Sequence, residues 1–229
     1  MMSNWKAIWN KQDRVEKIIL EMLIKADGFD SPTGGFEVDD WLEYTASLYE
    51  KLGMKEDDTI FDVGCGSGAF VYPLYIQNHI VGGVDYSDVL IALSQKVIDK
   101  ENFRVCEASA LDVEEKYDIV LSHSVFFYFP SLDYAKNVIE KMIQKANKTV
   151  AIFDINDSEK ESNYHAVRMQ TMDKETYKKK YAGLEHLFYS KEFFYDIAKE
   201  HDLEIVIWDQ EFDRYNNSKF RFNVLMRKL

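Results

Sequence analysis

The run Asp62-Val63-Gly64-Cys65-Gly66-Ser67-Gly68-Ala69 sets three glycines within five positions, directly after the apolar Thr59-Ile60-Phe61. Such a backbone takes positive φ and lets a ligand approach without a Cβ in the way, at the point where a strand end meets a helix N-terminus. The chemistry it suits is the cradling of a nucleotide cofactor. Asp85 follows a second apolar run, Ile80-Val81-Gly82-Gly83-Val84, at about the twenty-residue distance from the glycines where an acidic side chain accepts from ribose hydroxyls.

Two cofactor classes fit the loop by itself. Gly64-x-Gly66-x-x-Ala69 satisfies the dinucleotide pattern, and Gly64-x-Gly66-x-Gly68 a tighter one. Asp62 separates them, because a carboxylate at that strand end repels a pyrophosphate and suits an ammonium.

The elements that must position these residues follow from periodicity. Runs 59 to 63, 80 to 84, 103 to 106, 117 to 122 and 148 to 155 read as strands, and 69 to 78, 87 to 99 and 132 to 145 as helices between them. Strands alternating with helices imply a doubly wound, mostly parallel α/β sheet. Pro73 falls late for the first turn of its helix, so one backbone bond should be lost there. The connection from Ala108 to Lys116 is short for a helix. Ser190 reads as the N-cap of a helix through Glu200, and Leu203 to Trp208 and Phe220 to Met226 as a terminal antiparallel hairpin.

Ahead of this unit, Ile8, Val15, Ile18, Ile19, Leu20, Met22 and Leu23 fall at helical spacing. Trp41, Leu42, Thr45, Leu48, Tyr49 and Leu52 give a second stripe, ending at Gly53. Between them Asp27 to Gly35 is rich in turn formers and can act as a hinge. The reading is one compact unit, with residues 1 to 55 as an N-terminal helical extension or lid and 56 to 229 as the cofactor-binding domain. Residues 156 to 189 form a polar, aromatic insertion over the strand ends.

With Asp62 to Gly68, Asp85 and the terminal hairpin in view, the chain resembles the Rossmann-like (class I) S-adenosylmethionine-dependent methyltransferases. The resemblance covers roughly residues 40 to 229. It implies that Asp62, Gly64, Cys65, Gly66 and Gly68 hold the methionine and ribose part of S-adenosylmethionine and that Asp85 binds the ribose hydroxyls. Tyr86 would lie against the adenine face. Cys106-Glu107-Ala108-x-x-Leu111 resembles the family's Gly-Asp-Ala-x-x-Leu stretch, so Glu107 and the Ala108 backbone would meet the adenine edge. Ser122-His123-Ser124, after the fourth strand, would line the cleft between cofactor and acceptor. Cys106 in place of glycine, and Asn147-Lys148 in place of a Pro-Gly-Gly turn, depart from the pattern. No Asn-Pro-Pro-Tyr-like motif follows the fourth strand, which removes support for methylation of nucleic acids or glutamine.

The implied reaction is methyl transfer to an oxygen or nitrogen of a small-molecule acceptor. Positioning supplies most of its catalysis, and a base is needed only for a protonated acceptor. His123 is the candidate catalytic residue, weighed against a histidine that merely hydrogen-bonds at the strand end or to the cofactor. His165 and His186 read as surface histidines of the insertion. Phe126-Phe127-Tyr128-Phe129 offers an aromatic wall or core packing, and Trp5, Trp9, Phe29, Phe36, Trp41 and Tyr44 offer a lid. Asp112, Asp154 and Asp157 read as solvated caps, and no metal site is expected.

Composition bounds the partners. The 229 residues are 46% hydrophobic, enough for a full core, and carry a formal net charge of -12. That balance argues against nucleic acid, and the Lys178-Lys179-Lys180 run is short enough to be a solvated helix face. It favours a neutral or cationic small acceptor over a polyanion. Cys65 and Cys106 fit reduced thiols, and with no apolar run of membrane or signal-peptide length the expectation is a soluble, cytoplasmic protein. Two other readings stand beside the methyltransferase: a nicotinamide-dependent reductase or epimerase on the same loop, and a non-catalytic cofactor-binding scaffold.

Overall fold

The structure, a computed structural model, describes residues 4–29, 35–169 and 186–229. The Lys178-Lys179-Lys180 run, Met172, Tyr177 and Tyr181 lie outside the described residues, as do the side chains of Trp5, Ile8, Trp9 and Met169.

Every residue of the two short strands β1 (Ile60–Val63) and β2 (Val81–Asp85) is buried. Continuous burial of this kind requires cover on both faces of a sheet. β3 (Phe103–Val105), β4 (Tyr117–His123) and β5 (Ala146–Asn156) continue the parallel part, and β6 (Leu203–Asp209) and β7 (Arg221–Lys228) close it in an antiparallel hairpin. The order across the sheet is β3-β2-β1-β4-β5-β7-β6, with β7 antiparallel to β5. The chain steps outward from β1 to β3 and then returns to place β4 beside β1. That reversal is the switch point where open α/β sheets leave a crevice above the carboxyl ends of their strands.

Helices cover both faces. On one, α5 (Leu132–Lys145) and α7 (Lys191–Glu200) bury Val138, Ile139, Met142, Phe194 and Ile197 against the sheet. On the other, α1 (Asn4–Ala26), α2 (Val38–Leu52) and α4 (Asp88–Val97) bury Leu20, Leu23, Trp41, Leu48 and Ile91. Side chains of this size contribute about 1.5–3 kcal/mol each when fully buried. Ser87, Ser131 and Ser190 cap α4, α5 and α7, each accepting from a backbone N–H three residues on. Gly53 ends α2 with φ of 65°, as a left-handed C-cap should.

Four expectations change. The helix at 69 to 78 shrinks to α3 (Tyr72–Ile76), because the glycine turn runs on through Val71 and Tyr72, whose N–H groups both bond Gly68 O. Pro73 is therefore in the first turn, where its missing N–H has no intrahelical partner to lose. The buried stripe of α1 is Leu20, Leu23 and Ile24, whereas Val15, Ile18 and Met22 are exposed. The segment from 156 starts as the end of β5, and α6 (Glu161–Met169) follows it.

Candidate active site

Above the carboxyl ends of the strands lies a cavity of about 920 Å³, into which the glycine turn, the ends of β2 and β4, the start of β7 and the C-terminal end of α1 all project. Its acidic end is the glycine turn. Gly64, Gly66 and Gly68 have φ of 81°, 55° and 89°. A Cβ on Gly64 would stand 2.5 Å from Val125 Cγ2, and one on Gly66 would collide with the Asp27 carboxylate. Asp85 holds the turn from the next strand, accepting from Gly66 N at 3.0 Å and Ser87 N at 2.8 Å. Asp27, at the end of α1, accepts from Ser67 N at 2.7 Å.

Asp62 is buried in the cavity lining, and its Oδ1 has no hydrogen-bond partner among the described residues. Burial holds its carboxyl well above the usual carboxylate range, and Asp27 and Asp85 add to the shift. Asp27 is likewise pushed up, to about 7, chiefly by burial. Carboxylates left short of positive charge, beside a cradle that a Cβ would fill, are a site for a cationic ligand. That donor set fits the ammonium and sulfonium of S-adenosylmethionine.

The last residue of β4, His123, lines the same cavity. Its ring stacks on Phe70 at 4.5 Å between centroids, with Phe29 and Trp41 each 5.6 Å away. Burial in this cage pushes His123 down to about 4, so the imidazole is neutral near pH 7. Its tautomer is set from a distance. Asp154 accepts at 3.1 Å from Gln210 Nε2, which turns Gln210 Oε1 toward the Tyr44 hydroxyl, 3.1 Å away. With its proton given to that oxygen, Tyr44 meets His123 Nε2 at 3.0 Å as an acceptor, so Nε2 carries the hydrogen. Nδ1 keeps its lone pair and has no partner among the described residues.

Asp154 is a buried hub rather than a solvated cap. It sits in the bulge of β5 at φ of 61° and takes hydrogen bonds from Ser124, itself at φ of 58°, and from Tyr215. Strained backbone at two adjoining strand ends belongs with sites whose geometry the surroundings dictate. Arg221, the first residue of β7, lies beside it with Nε 3.4 Å from Asp154 Oδ1. Asp157 is also buried and caps the following turn, accepting from Glu159 N at 3.0 Å.

The structure thus places Asp62, Gly64, Cys65, Gly66, Asp85, Tyr86, Glu107, Ala108 and His123 around one cavity. It does not bring Gly68 or Ser122 to it. Gly68 packs against Ile98, and Ser122 is spent inside the sheet, its hydroxyl donating to Val63 O at 2.7 Å. His186 is no surface residue: it lines the cavity and is lowered to about 4 by burial and then by Arg168 and Arg221. His165 stays at the surface, 3.6 Å from Glu161. Of the aromatic run, Phe126, Phe127 and Phe129 are buried and Tyr128 is exposed.

Sequence reasoning missed Asp27, Tyr44 as a hydrogen-bonding group, Gln210, Tyr215 and Arg221. Only Asp27, an acid beside a hinge glycine, carried any local signal. Among the described residues no cluster of His, Cys, Asp and Glu side chains suits a metal, and no helix is long and apolar enough to cross a membrane.

Residues 54–218 match the family described as "Methyltransferase domain". A probable cobalt-precorrin-6B C(15)-methyltransferase of Methanocaldococcus jannaschii is 30% identical over 106 residues, 46% of this chain and 55% of that protein. An uncharacterized protein of Haemophilus influenzae is 29% identical over 118 residues, 49% of this chain and 42% of its own. The chain spans about half the length of the curated relatives it matches. Among solved structures, the magnesium protoporphyrin IX methyltransferase of Synechocystis with bound SAH superposes with a TM-score of 0.58 at 17% identity, covering 92% of this chain and 98% of that one. DesVI of Streptomyces venezuelae superposes at 0.61 and 8% identity, covering 91% and 96%. Those likenesses concern the fold, and the family match covers most of the chain: it belongs to the methyltransferase-domain family, on the sheet of the class I S-adenosylmethionine-dependent enzymes.

Proposed function

We propose that this chain transfers a methyl group from S-adenosylmethionine to an oxygen or nitrogen of a small-molecule acceptor. The observation that carries the reading is the adjacency, in one cavity, of a glycine cradle with the unpartnered Asp62 carboxylate and of His123 with a free Nδ1 lone pair. When bound, the donor supplies a methyl group already activated on a sulfonium.

The chain's own residues divide the remaining work. Asp62 receives the ammonium of the donor's amino-acid part, and the Gly64 to Gly66 backbone lies against it without a side chain between. Asp85 keeps lone pairs for the ribose hydroxyls, since each of its oxygens accepts one backbone bond and retains further capacity. Tyr86, Glu107 and Ala108 form the wall left for the adenine. His123 orients the acceptor through Nδ1 and takes a proton where the acceptor carries one. Trp41 and Tyr44 of α2, with Phe29 just after α1 and Phe36 just before α2, close over this point, excluding water, and act as the lid of the 1 to 55 extension.

Contacts to the acceptor come from the loops above β4, β5 and β7. Titration calorimetry tests the donor side: S-adenosylhomocysteine should bind with micromolar affinity and NADH should not. Binding of NADH alone would move the assignment to a reductase. Tight S-adenosylhomocysteine binding with no transfer of labelled methyl to hydroxyl, amine or carboxylate acceptors would make the chain a scaffold.

A further inference from the structure

Across the cavity from the glycine turn stands a buried cation that methyl transfer, as described, does not use. Arg221 is 2% exposed and lines the cavity. Its Nε and Nη1 are buried with no hydrogen-bond partner among the described residues. Asp154 lies nearest, but its oxygens already receive Ser124, Gln210 and Tyr215, and the 3.4 Å approach to Nε makes an ion pair without a hydrogen bond. Aromatic rings flank the guanidinium: its carbon lies 4.5 Å from the centre of Phe127 and 5.9 Å from that of Tyr164. A guanidinium fixed in place with no hydrogen bond made to the described residues suits a carboxylate ligand.

The surrounding charge has the same sense. Arg168 lines the same cavity, 4.5 Å over the Tyr164 ring, and both guanidinium groups act on His186 beside them. Strand order fixes the polarity. Asp85, Asp62, His123, Asp154 and Arg221 stand on β2, β1, β4, β5 and β7 in that sequence across the sheet. At about 4.8 Å per strand, three steps, together roughly 14 Å, separate Asp62 from Arg221, with His123 between them. One end of the cavity takes a cation and the other an anion.

We propose that the methyl acceptor bears a carboxylate, that Arg221 receives it, and that the acceptor's reacting oxygen or nitrogen then lies at His123. This rests on the donor assignment above. A single negative charge suits the site better than a phosphate, whose second charge would lie against Asp154. The mainly acidic surface does not oppose it, since net charge governs encounter and the local guanidinium governs the pocket.

The test is titration calorimetry on the S-adenosylhomocysteine complex with para-hydroxybenzoate, para-aminobenzoate and para-hydroxyphenylacetate, each against its own amide. At least one acid should bind about tenfold or more tightly than its amide, the difference expected of a charge-assisted pair. Arg221→Gln should abolish that preference and leave S-adenosylhomocysteine affinity within about twofold. Arg221→Lys, which keeps a charge beside Asp154 and removes the fork, should lose most of it. The wild-type comparison needs no variant to fold: no acid preferred over its amide, or a preference that survives in Arg221→Gln, overturns the inference while the donor assignment stands. Failure of S-adenosylhomocysteine itself to bind overturns both.

Discussion

The Tyr44 hydroxyl stands 3.0 Å from His123 Nε2 and 3.1 Å from Gln210 Oε1, so a phenolic proton from α2 decides which imidazole nitrogen carries the hydrogen. Removing that hydroxyl leaves His123 in its cage with its tautomer unfixed. Tyr44→Phe should lower kcat by about tenfold, the worth of one buried hydrogen bond, with donor affinity unchanged. His123→Asn should cost about a hundredfold or more where the acceptor must lose a proton. Steady-state assay with labelled donor separates the two; equal, small losses in both variants would reduce His123 to packing.

The Gly64 turn passes so near Val125 that a methyl group at residue 64 must displace it. Gly64→Ala also forces a left-handed φ on a residue with a Cβ, which costs about 1–2 kcal/mol before the clash. The variant should melt several degrees lower and bind S-adenosylhomocysteine at least tenfold more weakly. An unchanged affinity in a folded variant would place the donor away from this turn.

Asp27, raised to about 7, makes donor binding depend on pH, together with Asp62, whose carboxyl burial holds well above the usual range. A cationic donor favours the ionised form, so affinity should fall as pH drops below about 7, by up to tenfold per unit for one coupled proton. Asp27→Asn keeps an oxygen for Ser67 N and should remove the part of that profile centred near 7. Calorimetry in two buffers of different ionisation enthalpy counts the proton directly.

His123 has the opposite sign in stability. Its folded value of about 4 lies below the ordinary 6.5, so the protein binds fewer protons folded than unfolded in that window. Stability from this group is complete above about 6.5 and is lost as pH falls toward 4, at most about 3 kcal/mol. Asp27 works against it, since a raised carboxyl contributes below its ordinary value of 3.8 and loses that contribution as pH rises through about 7. Denaturant titrations from pH 4 to 7 should show the His123 share disappear in His123→Phe.

Much of this was legible in the chain. Turn glycines, serine caps and apolar runs are local signals, so α5 and the Ser190-capped helix fall where the residues place them. Asp62 and Asp85 announce themselves through spacing from the glycines. Ser122 misled because its strand position is right while its hydroxyl is consumed by Val63 O, a partner 59 residues away. Gln210, Asp154 and Arg221 meet only because β7 returns antiparallel beside β5, with Asn156 facing Arg221. No local pattern encodes that pairing, and an arginine opening an apolar strand reads as an edge residue until the fold buries it.

In the proposed reaction the donor lies on the glycine turn with its sulfur directed at His123. A crystal structure of the S-adenosylhomocysteine complex tests it most directly. The ammonium should lie at Asp62, the ribose hydroxyls at Asp85 and the sulfur against the His123 ring. A ligand seated at the Arg221 end, or a ribose turned away from Asp85, would contradict it.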